Sequence, residues 1–131
     1  AATCLWPGAY RFSCQLNVIS ALFAGATDVP EMNHNEIVAW TSKSASNRAL
    51  LLFSCEDLYP RTSARIEWML EEIESSPTWV IECEGESLLE RLLYAAHVTD
   101  WVSIGLALLT GEDPSEMPAI ESLKTHLASI Q

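Results

Sequence analysis

Two short apolar runs, one on each side of a helical pattern, constrain the fold of this chain more than any other feature. Residues 49–53 are continuously apolar, and residues 78–83 are rich in β-branched and aromatic side chains. Such runs predict strands, and the first predicts a strand that is covered on both faces. Residues 62–74 lie between them and repeat apolar side chains at helical spacing. A strand–helix–strand order predicts that the two strands pair in parallel.

Helical patterns lie on both sides of this unit. Residues 11–24 predict a helix whose apolar stripe consists of Phe12, Leu16, Ile19 and Phe23. Residues 88–109 are the most apolar segment and predict a buried helix behind a capping box. The box consists of Ser87 and Glu90. A last helix is predicted to bury one face, which carries Ile120, Leu123, Leu127 and Ile130.

The alternation of strands and helices predicts an α/β fold. A short β-like run at residues 3–6, cut off by Pro7, adds a truncated strand. We predict a doubly wound parallel sheet of about three to four strands, flanked by helices, in a single domain over residues 1–131. A sheet this small leaves edges and faces open, so the domain is expected to dock on a second domain, a second copy of itself, or both.

Composition excludes several classes of partner. The chain has 131 residues, of which 49% are apolar, and this share is too high for a disordered tail. Its formal net charge is -11, which disfavours nucleic acid and anionic membranes as partners. No signal peptide is visible, and we predict no membrane span. We also predict no cofactor and no metal ion, because no ligand pattern is visible in the sequence.

The cysteines indicate a reducing compartment. Cys4, Cys14, Cys55 and Cys83 form no C-x-x-C pair, and each lies inside or beside an apolar run, which predicts burial. A disulfide framework is not expected in a domain with this much core. The interpretation is a cytoplasmic protein.

His34 is the histidine with the most polar surroundings. Two carboxamides and two carboxylates lie nearby in sequence, at Asn33, Asn35, Glu31 and Glu36. Such groups can orient an imidazole for general acid–base chemistry. The alternative is that Asn33 or Asn35 caps a helix, and composition alone favours this alternative. His97 and His126 lie in helical patterns, where packing or helix-end roles are expected.

Four segments carry a resemblance to a known family. Residues 30–40 read P-E-M-N-H-N-E-I-V-A-W. They resemble the P-E-[ML]-N-H-N-E-I-V-G-W signature of bifunctional phosphoglucose/phosphomannose isomerases, dimeric enzymes built from two sugar-isomerase (SIS) domains. Residues 10–17, 84–93 and 102–114 resemble further segments of that family in the same order. The resemblance covers residues from about 10 to 127 and points to the C-terminal SIS domain.

The resemblance implies aldose–ketose isomerisation of a hexose 6-phosphate. In the family a glutamate moves a proton between C1 and C2, and a histidine from the neighbouring subunit assists ring opening. His34 matches the histidine, whereas Val18 stands at the glutamate position. Ile19, Ser20 and Ala21 follow where the family has an asparagine, a small residue and a lysine. Substrate-binding positions implied by the resemblance are Asn33, Asn35, Glu36, Ser115 and Lys124.

Three functions stay open at this point. The first is a phosphosugar-binding or regulatory domain without turnover, because valine cannot accept a proton. The second is a working isomerase half that is completed by the family's N-terminal SIS domain, which these residues lack. The third is a dimerisation or interaction module. The resemblance implies a homodimer, with His34 of one chain near Val18 of the other, and the chain is expected to be a fragment of a longer protein.

Overall fold

A two-stranded parallel sheet lies at the centre of the structure, a computed structural model that describes residues 1–74 and 76–130. Strand β1 spans Leu50–Ser54 and strand β2 spans Thr78–Glu82. The pairing runs from Leu50 opposite Thr78 to Ser54 opposite Glu82. Both predicted strands are therefore confirmed, together with their parallel pairing.

The described residues form six α-helices around this sheet. They are α1 (Trp6–Ile19), α2 (Met32–Asn35), α3 (Ile37–Trp40), α4 (Pro60–Glu72), α5 (Leu88–Thr110) and α6 (Pro118–Ala128). Helix α4 connects the two strands, so β1, α4 and β2 form the predicted parallel crossover unit. The architecture is α/β, as predicted.

β1 is covered on both faces, as its continuous apolar run predicts. Leu51 and Phe53 pack in a cluster with α1 and α5, where the ring of Phe12 meets Phe53 edge to face. Leu50 and Leu52 point the other way and pack against α2 and α4. Adjacent side chains of a strand point to opposite faces, so one five-residue strand supports both halves of the core.

The sheet has fewer regular strands than the three to four expected. Only β1 and β2 form ladders within the described residues, and the predicted β-like run is a 3₁₀ turn over Thr3–Leu5. The backbone beside β1 is nonetheless occupied. Ala2 N–H donates to Phe53 O at 3.2 Å, and Val29 N–H donates to Ala1 O at 2.7 Å. Isolated backbone hydrogen bonds thus occupy the edge of β1, where a third strand was expected.

Helix α1 begins and ends earlier than predicted. Pro7 lies in its first turn, where a missing N–H costs nothing, so the proline starts the helix instead of interrupting the chain before it. The helix ends at Ile19, and Ala21 turns the chain with φ +52°. Phe23 therefore lies outside the helix and is fully exposed (100%), so the prediction that it belongs to the core stripe is wrong.

Helix α5 begins at the predicted capping box. The Ser87 hydroxyl accepts from Glu90 N–H, the Glu90 carboxylate accepts from Ser87 N–H, and Gly111 ends the helix with φ +80°. The prediction of a buried helix is wrong for most of its surface. Only the stripe Ala95, Thr99, Ser103 and Ala107 is buried. Length and composition alone would also let α5 cross a membrane, which is weak evidence for a span.

Helix α6 forms as predicted, but its apolar face is not buried. No residue of Pro118–Ala128 is buried, and the four apolar side chains of the predicted face are all exposed. Periodicity predicts that a helix has an apolar side, but it does not identify which surface, if any, covers that side.

The cysteines divide into two pairs, which corrects the prediction that all four are buried. Cys4 and Cys14 are exposed, Cys55 and Cys83 are buried, and all four are free. Burial raises the pKa of Cys83 to about 11, with the neighbouring Cys55 and Glu82 adding to the rise. Burial also raises the pKa of Cys55.

We expect the two pairs to differ in thiol reactivity. A thiol reacts as its thiolate, so Cys55 and Cys83 should stay unmodified at pH 8 while Cys4 and Cys14 react. Timed alkylation of the native protein, followed by peptide mass spectrometry, checks this. Unfolding in urea should equalise the four rates, and rapid native labelling of Cys83 would contradict the burial seen here.

Candidate functional site

His34 lies on the surface, within the single turn of α2. Its side chain is exposed, and its backbone N–H donates to Glu31 O at 3.0 Å. Within the described part of the chain, the imidazole makes no hydrogen bond. The ring is therefore presented outward, where a group from outside this chain can reach it.

The polar neighbours of His34 bond to one another instead of to the imidazole. Asn35 Nδ2 donates to Glu31 Oε2 at 3.1 Å, and Trp40 Nε1 donates to Glu36 Oε2 at 3.3 Å. The expectation that these groups orient the imidazole is thus not met within one chain. The capping alternative is also wrong, because Asn33 and Asn35 lie inside α2 and no side chain caps α2 or α3.

Asn33 faces a different environment from its neighbour His34. Its amide nitrogen and oxygen are both buried, and neither has a hydrogen-bond partner among the described residues. Asn33 lines an open groove of about 430 Å³ whose other lining residues come from α4: Arg61, Ala64, Arg65 and Trp68. We did not predict this groove, because the helix was predicted to begin at Thr62, whereas α4 begins at Pro60 and so places Arg61 one turn before Arg65.

Val18 lies in the last turn of α1 and is 42% exposed. Arg11 and Gln15 precede it by seven and three residues, so the three side chains share one helical stripe. Arg11 Nη2 donates to both Asp100 oxygens, at 2.8 and 2.9 Å, and Gln15 Nε2 donates to Asp100 Oδ1 at 2.8 Å. The hydrogen bond from Gln15, aided by Arg11, lowers the pKa of the Asp100 carboxyl. These bonds join α1 to α5 beside Val18.

Asn17 fixes the turn that follows Val18. Its Nδ2 donates to Ser13 O at 2.6 Å and to Ala24 O at 2.8 Å, and its Oδ1 accepts from Ala24 N–H at 3.3 Å. The buried Ser20 hydroxyl donates to Ser103 O at 2.7 Å and attaches the same turn to α5. The backbone at position 18 is thus held from both sides, while the Val18 side chain points to a partly open surface.

Ser115 and Lys124 are engaged by nearby acids. The Ser115 hydroxyl and N–H donate to Asp113 Oδ1 at 2.6 and 2.8 Å, and these bonds lower the pKa of Asp113. Lys124 Nζ lies 2.8 Å from Glu121 Oε1, one turn away on α6. Both residues are exposed, and neither is preorganised toward an anion within this chain.

The predicted site residues occupy separate elements. Val18 lies on α1, His34 on α2 and Lys124 on α6, while Ser115 lies between α5 and α6. In residues 1–74 and 76–130, no hydrogen bond or ion pair joins these side chains to one another. Within the described residues, these side chains therefore do not form one hydrogen-bonded site.

Comparison with known proteins gives a consistent result. A family model described as bacterial phosphoglucose isomerase C-terminal SIS domain matches residues 2–127. A bifunctional phosphoglucose/phosphomannose isomerase of Aquifex aeolicus is 37% identical over 124 residues, which are 91% of this chain and 38% of the relative. The Thermoplasma volcanium protein of that name is 31% identical over 121 residues, 92% of this chain and 39% of the relative. The chain therefore spans less than two fifths of the length of either relative.

Proposed function

The chain belongs to the bacterial phosphoglucose isomerase C-terminal SIS domain family, and we propose that it binds a hexose phosphate without efficient isomerase turnover. The site would be completed by residues outside this chain. Retention of the Asn33-His34-Asn35 segment supports the binding part of the proposal. Val18, at the position of the family's glutamate base, supports the loss of turnover and hence a regulatory role or a pseudoenzyme.

The surroundings of Val18 are the observation that carries the proposal. A valine has no group that accepts a proton between C1 and C2 of a sugar. Asp100, the carboxylate on the neighbouring helix, already accepts from Arg11 and Gln15, and its lowered pKa makes it a weak base. The half-exposed position of Val18 would admit a substrate. The position therefore lacks a proton-accepting group, but it is accessible.

Exposed apolar side chains support docking on other protein surfaces. Leu109 at the end of α5 is 84% exposed. Other large apolar side chains exposed on α5 and α6 are Leu89, Leu93, Trp101, Leu108, Ile120, Leu123 and Leu127. We propose that an N-terminal SIS domain and a second copy cover parts of these faces, as the outward position of His34 also suggests. This observation equally favours the alternative of an interaction module.

A cytoplasmic location fits this proposal. All four cysteines are free, as expected in a reducing compartment. Hexose phosphates are anions, and this chain carries a net charge of -11, so a bound phosphate requires local donors. In the proposed assembly, an N-terminal SIS domain provides most of them.

A coupled assay for conversion of fructose 6-phosphate to glucose 6-phosphate tests the proposal on the complete protein that contains this chain. We expect no detectable turnover, together with a rise in melting temperature when glucose 6-phosphate is added but not when glucose is added. The His34→Ala variant should bind more weakly. Turnover that disappears in His34→Ala would instead mean an active isomerase whose base lies elsewhere. Absence of any thermal shift would leave the interaction module as the better description.

A further inference from the structure

The groove between α2 and α4 is lined by two arginines without acidic partners. Arg61 and Arg65 lie one turn apart on α4, and neither forms an ion pair within the described residues. The chain as a whole has 18 acidic and 7 basic residues. Three other basic residues, Arg11, Arg91 and Lys124, each pair with an acid. The groove is therefore a local concentration of positive charge on an acidic protein.

The opposite side of the groove contributes an amide whose hydrogen bonds are unmade. Both polar atoms of the Asn33 side chain are buried without a partner among the described residues. An unsatisfied buried polar group costs about 1–3 kcal/mol. Asn33 and the two arginines line the same groove. A rotation of the Asn33 side chain toward the groove would let a polar ligand complete its hydrogen bonding.

Trp68 gives the groove an apolar wall. It follows Arg61 by seven residues and Arg65 by three, so all three share one stripe of α4. Trp68 as a residue is 47% exposed. The arginines lie toward the N-terminal end of α4, which begins at Pro60, and the helix dipole adds to their positive potential there. The groove thus has a cationic end and an aromatic end.

We propose that this groove is a second anion site, which binds the phosphate group of a small phosphate monoester. A phosphate monoester carries close to two negative charges at neutral pH, which matches two guanidinium groups. Arginine binds phosphate oxygens in pairs, and the Trp68 ring offers a surface for the organic part. A volume of about 430 Å³ is within the range of small-molecule sites. The groove is lined by α2 and α4 and does not include Val18, although Asn33 also belongs to the segment that supports the function proposed above.

Binding in this groove would also affect the helix that carries His34. Asn33 is on the one-turn helix α2, so a ligand held between Asn33 and the α4 arginines fixes α2 against α4. His34 is the next residue, and its exposed ring would be held with the helix. Phosphate ester binding is thereby coupled to the position of the imidazole.

The test follows Trp68 fluorescence in the complete protein. Because the chain has five tryptophans, the Trp68 signal is the difference between the native protein and its Trp68→Phe variant. Titration with inorganic phosphate and with glucose 6-phosphate should each give a saturable Trp68 signal at constant ionic strength. Glucose should give none. The Arg61→Gln/Arg65→Gln variant should weaken binding by at least about tenfold.

Arg48→Gln is the matched control, since Arg48 is an exposed arginine outside the groove and should leave the titration unchanged. The proposal is overturned if the double variant keeps the signal, or if malonate at equal charge gives the same response as phosphate. It is also overturned if phosphate gives no signal and the native protein self-associates in sedimentation but the double variant does not. In that case an acidic segment of a second copy occupies the groove. Glucose 6-phosphate can still raise the melting temperature of the double variant while the native protein gives no Trp68 signal. That outcome would refute the groove site and leave the function proposed above intact.

Discussion

Replacing Val18 with glutamate should create isomerase turnover in the complete protein. A positioned general base contributes about 10²- to 10⁴-fold, so in the fructose 6-phosphate assay we expect a rate at least about a hundredfold above the background measured with the native protein. The half-exposed position accepts a longer side chain without disturbing the core. The flanking backbone is already held by Gln15 and Asn17. The new carboxylate would therefore be placed on a fixed helix end.

Two further variants separate base chemistry from simple changes of shape. Val18→Gln has nearly the same size as Val18→Glu but accepts no proton at neutral pH, so it should stay inactive. Adding His34→Ala to Val18→Glu should remove most of the gained rate. If Val18→Glu remains inactive, the triple variant Val18→Glu/Ile19→Asn/Ala21→Lys restores the residue types of the family. Failure of the triple variant to turn over substrate would refute the assignment of position 18.

Gly85→Ala should destabilise the protein by about 3 kcal/mol, which is near 10 °C in melting temperature for a domain of this size. Gly85 has φ +144°, a conformation that residues with a Cβ rarely adopt. An added Cβ would lie 2.6 Å from Glu90 Cβ and 3.0 Å from Arg91 N. These atoms belong to the first turn of α5, so the clash cannot be relieved by a side-chain rotation. Urea denaturation of the complete protein measures the loss.

Gly105→Ala is the matched control, because it is the same substitution at a glycine in the interior of α5, away from the loop that contains Gly85. A Cβ at Gly105 would meet nothing within 4 Å. Alanine favours a helix interior over glycine by about 1 kcal/mol, so this variant should be unchanged or slightly more stable. Hydrogen exchange of the amides in residues 88–91 should accelerate in Gly85→Ala only. Equal stability of the two variants would contradict the backbone conformation at Gly85.

The parts of the fold that were predictable depend on local patterns. The continuous run at β1 predicts burial on both faces, and Ser87 with Glu90 predicts the start of α5, because capping needs only residues three apart. The length of α1 was mispredicted, since Pro7 was interpreted as a break although the first turn of a helix accepts it. The exposure of α6 was mispredicted because periodicity does not specify a covering surface.

The candidate site was less predictable, because its contacts join distant parts of the chain. Arg11 and Asp100 are 89 positions apart, so no local pattern indicates their ion pair. Asn33 was interpreted as a cap or a substrate ligand; it does not cap α2, and its place beside the α4 arginines in one groove was not predicted. The motif around His34 identified the family but not the direction of each side chain. Adjacent residues of one helical turn point about 100° apart.

The bonds between α1 and α5 also have a consequence for synthesis of the chain on the ribosome. The side chain of Arg11 reaches its partner only after Asp100 has been made, and the inner face of α1 is covered largely by α5. At roughly 5–20 residues per second, about 90 further residues take on the order of 5–20 seconds. During this interval, the face of α1 that packs on α5 lacks that part of its native cover and is available to chaperones that bind exposed apolar segments of nascent chains.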